Sequence, residues 1–528
     1  MLDGSGAGKS ASYSKPNAYQ KLGSYVFTDP KGELYDDTAG YLKRNGYEIK
    51  VLNLVNPKNS DGYNPLAHIK SDLDVDVIAS TIIKGQEKSS STSDPFWDDT
   101  AEMLLKSLIY FLKSTRPPEE QNLASCAELV RAASANSNGG SLLKDMMSVL
   151  PIDHPARTYY KNVEVASEKT FSSILVTLQA KLGKFDSKDI AEVTSTDTIN
   201  FERIGSVKTS VYVISSDTHT AYDFLLTIFF AQMIQQLYDY ADNNGGKLKI
   251  PTFFILDEFA NIGQIPDFDK KISTSRSRKI SFSVILQNLD QLEAIYEKSY
   301  ETIMGNCDTH LFLGSNSTKT VEYFSKALGE KTISRESISK NKDKDGHKSG
   351  TGESDQIMAR ALMTPDELRR MSMDYCIIYE KGLKPVKAEK FFYFKSNMIK
   401  EFNKLKLDHN DFDAGVRGEW RKFNPYKVGA NLEEEEQESN LNVESLDDLF
   451  DDDETTNSNK TEKIKKEDTA ESNNKFESDL NELLFDDEQE VDNTAETENG
   501  EMLDIQKELE AKFDELFGSI DDENDDNE

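Results

Sequence analysis

Three stretches of this chain carry residue types and spacings suited to phosphate chemistry. Gly4-Ser5-Gly6-Ala7-Gly8-Lys9-Ser10 ends in the Gly-Lys-Ser of a phosphate-gripping loop. In such a loop, backbone N–H groups point inward at phosphates, the lysine neutralises their charge, and the hydroxyl joins a Mg²⁺ shell. The first glycine of the full pattern is replaced by Asp3, a carboxylate that weakens phosphate binding if it points inward. The second stretch, PTFFILDEF, is a run of β-formers ending in Asp257-Glu258. An acid at the tip of a buried strand holds the Mg²⁺ shell, and the next carboxylate orients or deprotonates an attacking water. The plainer reading is a strand with an acidic cap. The third stretch, Ser275-Arg276-Ser277-Arg278-Lys279, precedes ISFSVILQN. Arg276 or Arg278 is placed to reach a neighbouring subunit's nucleotide, and Gln287 to sense the γ-phosphate or align water. A solvated basic turn and a polar strand cap are the alternative.

These residues need a sheet to hold them. Strand and helix signals alternate as in a parallel sheet flanked by helices. Strands are expected at Ser24 to Thr28, Tyr47 to Val55, Val211 to Ile214, PTFFIL, ISFSVILQ, THLFLG, DYCIIYE and KAEKFFYF. Helices are expected over Asp36 to Asn45, from Asp217, and near Asp267 to Ser275. From Asp94 to Thr196 the apolar spacing is helical instead, as in FWDDTAEMLLKSLIYFLKS and TFSSILVTLQAKL. This predicts an all-α domain (94–196) inserted between the two parts of an α/β domain (1–93 and 197–428). Ser334 to Gln356 is polar and glycine-dotted and is expected to be a mobile loop.

Composition separates body from tail. Of the net charge of -33, residues 431–528 hold -31, with 38 acidic and 7 basic side chains. The body is nearly neutral, so the acidity of the whole chain does not exclude nucleic-acid binding. The tail lacks the apolar content for a core and is expected to be disordered. It nonetheless repeats Leu-Phe among acids in SLDDLFDDDE, DLNELLFDDEQE and KFDELFGSIDDE, which suits docking to a basic partner as well as it suits a spacer. Three scattered cysteines, Cys126, Cys307 and Cys376, argue against a disulfide framework or zinc site. The stretch FLLTIFFAQMIQQLY is shorter than the ~20 residues that span a bilayer and is expected to be a core helix.

In order, DGSGAGKS, SYVFTDPKGELYDDT, YEIKVLNLVNP, YNPL, FWDDTAEMLLKSLI, EKTFSSILVTL, FFILDEFANIGQIPDF, RSRKISFSVILQNLDQLEAIY and LMTPDELRRM resemble the type IV secretion coupling proteins of conjugation, with a Gram-positive flavour. The resemblance implies a RecA-like ATPase motor with an inserted all-α domain, assembled as a homo-hexamer. It implies ATP and Mg²⁺ as cofactors. As partners it implies single-stranded DNA, a relaxase with its relaxosome proteins, and the secretion channel, at the cytoplasmic face of the bacterial membrane. On this basis Gly4 to Ser10 bind nucleotide, and Ser10 and Asp257 hold Mg²⁺ through its water shell. Glu258 activates water, Gln287 senses, and Arg276 acts across the subunit boundary, with Arg278 next to it. Asp29, Lys31 and Glu33 match a motif beside the nucleotide. Members of that family begin with membrane-spanning helices and a strand leading into the loop, so a truncated chain with a poorly anchored loop is expected. A double-stranded DNA pump of RecA type, or a docking receptor with little hydrolysis, would share parts of this pattern.

Overall fold

The computed structural model describes residues 1–3, 8–84, 94–135, 139–216, 221–342 and 349–427. The acidic tail with its Leu-Phe repeats lies outside the described residues, as do Gly4 to Ala7 of the loop. Eleven strands occur among the described residues: β1 (Leu2–Asp3), β2 (Ser24–Thr28), β3 (Glu48–Asn53), β4 (Thr209–Ile214), β5 (Thr252–Leu256), β6 (Ile280–Val284), β7 (Thr309–Gly314), β8 (Glu330–Lys342), β9 (Ser349–Ala361), β10 (Tyr375–Glu380) and β11 (Val386–Glu389).

The central sheet runs β3-β4-β2-β5-β6, every pair parallel. Its three inner strands, β4, β2 and β5, are buried along nearly their whole length because both faces are covered. Tyr25, Phe27, Tyr212 and Ile255 pack on one side with the helix Glu33–Arg44. Val26, Val211, Phe254 and Leu256 pack on the other with the apolar helix Asp223–Asn243. A second sheet runs β1-β7-β10-β11, and a parallel bridge from Leu2 to Leu286 joins β1 to the chain just past β6.

The expectation of a loop without a strand is corrected here. Leu2 and Asp3 pair parallel with Phe312 and Gly314. The Met1 amino group donates to Val284 O at 2.7 Å, and Leu286 N donates to Met1 O at 3.0 Å. Leu2 is buried in the main core. Two residues suffice because they fill a slot whose two walls are already built.

From residue 95 to residue 195 the described structure is helical, with α-helices beginning at Pro95–Thr115 and ending at Lys188–Ser195. Asp94 starts the first, its carboxylate accepting from Phe96 N at 3.0 Å ahead of Pro95. The buried side chains of this region are continuous with those under the central sheet. In LMTPDELRRM, Thr364 and Glu367 form a reciprocal capping box at the helix Pro365–Arg369.

Two expectations fail. The polar segment 334–356 is not a loop along its length: β8 and β9 pair antiparallel from Glu330↔Ala361 to Lys342↔Ser349. A two-stranded ladder pairs the facing backbone groups of its strands and leaves the outer ones to water, so it needs no alternating apolar face to announce it. The aromatic run Phe391 to Phe394 is not strand either, since β11 ends at Glu389.

Beyond β11 the chain becomes a strap. Its helix Met398–Lys404 sets Phe402 against Tyr41, ring centroids 5.4 Å apart. Leu405 O comes so close to Gly40 that a Cβ there would stand 1.9 Å away. His409 Nδ1 lies 2.9 Å from Asp36 Oδ1, and Arg417 pairs with Glu192 at 3.2 Å. Phe423 is buried among the helices, its N–H donating to Ser125 Oγ at 2.9 Å and its ring under the Arg116 guanidinium at 4.4 Å.

Candidate functional site

Lys9, Asp257, Glu258 and Gln287 converge at the C-terminal ends of β5 and β6. The chain leaves β1, turns at Gly8 (φ +90°), and enters a helical segment that is π-helical over Ser10–Ser14 before the α-helix Lys15–Gln20. A π-turn widens the helix at the first residues past the loop. Lys9 Nζ lies 2.8 Å from Asp257 Oδ1 and also contacts Glu258 Oε1. Gln287 Nε2 donates to both Glu258 oxygens at 3.1 Å. Glu258 sits in the left-handed region at φ +49°. That conformation is costly for a side chain with a Cβ, and it turns the carboxylate back over the strand tip. Asp257 Oδ1 accepts Glu258 N–H at 2.9 Å.

The electrostatics follow from burial. Asp257 is 5% exposed. Burial pushes its pKa up, and the Lys9 ammonium opposes that without cancelling it. Burial pulls Lys9 down, but Asp257 and Glu258 outweigh it and hold the lysine above its ordinary value. Together the three side chains set one cation against two carboxylates. Ser10 sits at the start of the same helical segment, and its hydroxyl and the Asp257 carboxylate are both hard oxygen donors, the class Mg²⁺ prefers.

Asp29 lies at the end of β2, whose Thr28 Oγ1 donates to Asp257 O at 2.6 Å. It is buried and accepts Tyr35 N–H at 2.8 Å, and burial pushes its carboxyl up to about 7 against that hydrogen bond. Lys31 and Glu33 are exposed. For a buried acid with a raised pKa, stability is fully present below the unfolded value near 4 and is lost as pH rises through 7. Asp29→Asn, which keeps an acceptor for Tyr35 N–H, is therefore expected to melt near the wild-type temperature at pH 5 and several degrees above it at pH 8. Thermal unfolding at the two pH values checks this. The gap corresponds to roughly 1–3 kcal/mol, allowing for relaxation.

The arginines are not brought to this cluster. Arg276 and Arg278 lie in the turn Ser275–Arg278 before β6, at the opposite end of that strand from Gln287. Arg278 is tied down, bidentate to Asp242 at 2.9 Å and over the Tyr238 ring at 4.6 Å. The Arg276 side chain is 92% exposed, with Asp308 3.5 Å away. Lys15 escaped the sequence reading. It is buried, paired with Asp37, and lies 5.0 Å from the centre of the Tyr393 ring. Its only sequence signal was a charge inside an otherwise uncharged helix start.

A family model described as Type IV secretory system Conjugative DNA transfer matches residues 1–414. The conjugal transfer protein TraG of Agrobacterium fabrum is 23% identical over 414 residues, 76% of this chain and 61% of that protein. TraG of Escherichia coli is 24% identical over 389 residues, 69% and 60% respectively. The chain thus spans about three fifths of the length of the curated relatives it matches. Among solved structures, the plasmid coupling protein TrwB in complex with the non-hydrolysable ATP analogue ADPNP matches with a TM-score of 0.50 at 15% identity, covering 79% of this chain and 87% of that one. The likeness is one of fold: α/β with a parallel-rich sheet.

Proposed function

Because the chain belongs to the type IV secretory system family of conjugative DNA transfer, we propose that it is an ATP-driven motor that passes single-stranded DNA and its attached relaxase to the secretion channel. The observation that carries this reading is the meeting of Lys9 with Asp257 and Glu258, 249 residues away along the chain in the case of Glu258. A lysine after a glycine-rich turn, facing two acids on a strand tip, is the arrangement that phosphoryl transfer to water requires.

Each residue then has a task. Gly4 to Ser10 cradle the phosphates with backbone N–H groups, and Lys9 leaves its carboxylates to neutralise the transferring group. Ser10 and Asp257 would hold Mg²⁺, which supplies charge compensation at the phosphate oxygens. Glu258 takes the proton of the attacking water, and Gln287 holds Glu258 in position through its amide. Arg276, distant from the cluster of its own subunit, serves the site of the next subunit in a homo-hexameric ring. Residues 94–196 act as the inserted all-α domain, and the whole works at the cytoplasmic face of the membrane.

ATP turnover by the full chain, measured with and without single-stranded DNA, tests the reading. Hydrolysis stimulated several-fold by single strands is expected. Equal stimulation by duplex DNA would favour a double-stranded pump, and binding without turnover would leave a docking receptor.

A further inference from the structure

Beside the candidate phosphate loop stands an aromatic step that the proposed chemistry does not use. After β11, the buried Lys390 donates its ammonium to Leu313 O at 2.8 Å, which pins the segment to the end of β7, next to β1. The chain then makes a tight turn over Tyr393–Lys395. Phe392 is left against the loop: a Cβ on Gly8 would stand 3.1 Å from Phe392 Cε1. Phe394 stacks on Phe392, ring centroids 5.1 Å apart and planes 25° apart, and remains 47% exposed. Tyr393 braces the turn from behind, against Phe402 at 5.8 Å and under Lys15.

Two stacked phenyl rings, one half open to solvent, add little to the core, yet they are held in place by a buried lysine and a braced turn. A nucleotide gripped at its phosphates by Gly8 to Ser10 carries its base on a short ribose tether, and the step touches that same turn at Gly8. We propose that Phe392 and Phe394 form the platform on which the nucleobase of the bound nucleoside triphosphate stacks. The inference rests on reading residues 4–10 as the phosphate loop. Ring faces recognise the π surface that every base has, rather than a hydrogen-bonding edge, so ATP and GTP are expected to bind alike.

Calorimetric titration of the full chain with ATP, GTP and inorganic tripolyphosphate, all with Mg²⁺, tests it. The wild type is expected to bind both nucleotides more tightly than tripolyphosphate. Phe394→Ala, which does not touch Gly8, should weaken ATP and GTP by roughly tenfold and leave tripolyphosphate unchanged, while Phe394→Trp restores nucleotide affinity. Phe392→Ala should behave like Phe394→Ala toward nucleotides. If both alanine variants bind ATP as the wild type does, the platform is wrong and the phosphate loop stands. If the wild type binds neither ATP nor tripolyphosphate, the loop reading falls and the platform falls with it.

Discussion

Lys9→Ala is expected to abolish measurable ATP turnover, and Glu258→Gln to abolish turnover while keeping nucleotide binding. Removing one preorganised charge from such a site costs about 10²–10³-fold in rate, and loss of the proton acceptor adds a comparable factor. The two variants differ in what they do to the resting cluster. Without Lys9, the buried Asp257 and its neighbour Glu258 face each other with no cation between them. The variant should therefore also melt lower, and more so at pH 8 than at pH 5, because burial pushes the Asp257 carboxyl up and its charge is then fully developed with no cation beside it. Glu258→Gln leaves the Lys9–Asp257 pair intact and should melt close to the wild type. Phosphate release, calorimetric nucleotide binding and thermal unfolding on the same three proteins separate the roles. Wild-type turnover by Glu258→Gln would overturn the assignment of the water-activating group.

Arg276→Ala should lower turnover by about 10³-fold or more if the guanidinium stabilises the transferring phosphoryl group, with no effect on the fold, since the side chain is 92% exposed. Its place at the far end of β6 from Gln287 makes action within one subunit geometrically unavailable. Mixing Arg276→Ala chains with Glu258→Gln chains should then restore turnover to a fraction of sites, where an intact Glu258 meets an intact neighbouring Arg276. Mixed assemblies no more active than either parent would remove Arg276 from the mechanism. Arg278→Ala is the contrasting control: its bidentate pair with Asp242 gives it a structural task.

Much of the site could be read in the sequence because its signals are local. β2 and β7 are legible at their observed bounds, since each is a short run of β-formers bounded by glycine or polar residues. Asp257, Glu258 and Gln287 sit at strand tips, where a run of apolar residues meets a polar one. What could not be read depends on distant partners. Nothing near Phe392 indicates that Gly8 lies beneath it, and Lys15 carries no sign that Tyr393 will cover it. The strand pairing of 330–361 was hidden for a different reason: glycine and charge are turn signals, and an isolated ladder leaves no apolar alternation to outvote them. β1 is hidden in the sequence because the slot that receives Leu2 and Asp3 is built from residues far along the chain, at β7 and Leu286.

That slot has a consequence for how the protein comes into being. Leu2 and Asp3 leave the ribosome well before the strand that pairs with them, since β7 follows some three hundred residues later. The strap that packs Phe402 onto the helix Glu33–Arg44 comes later still. Contacts this far apart in sequence close late and slowly. Until Gly314 has emerged, Leu2 and Asp3 lack the strand they pair with. β1 is therefore seated only after all five strands of the central parallel sheet have become available to pair.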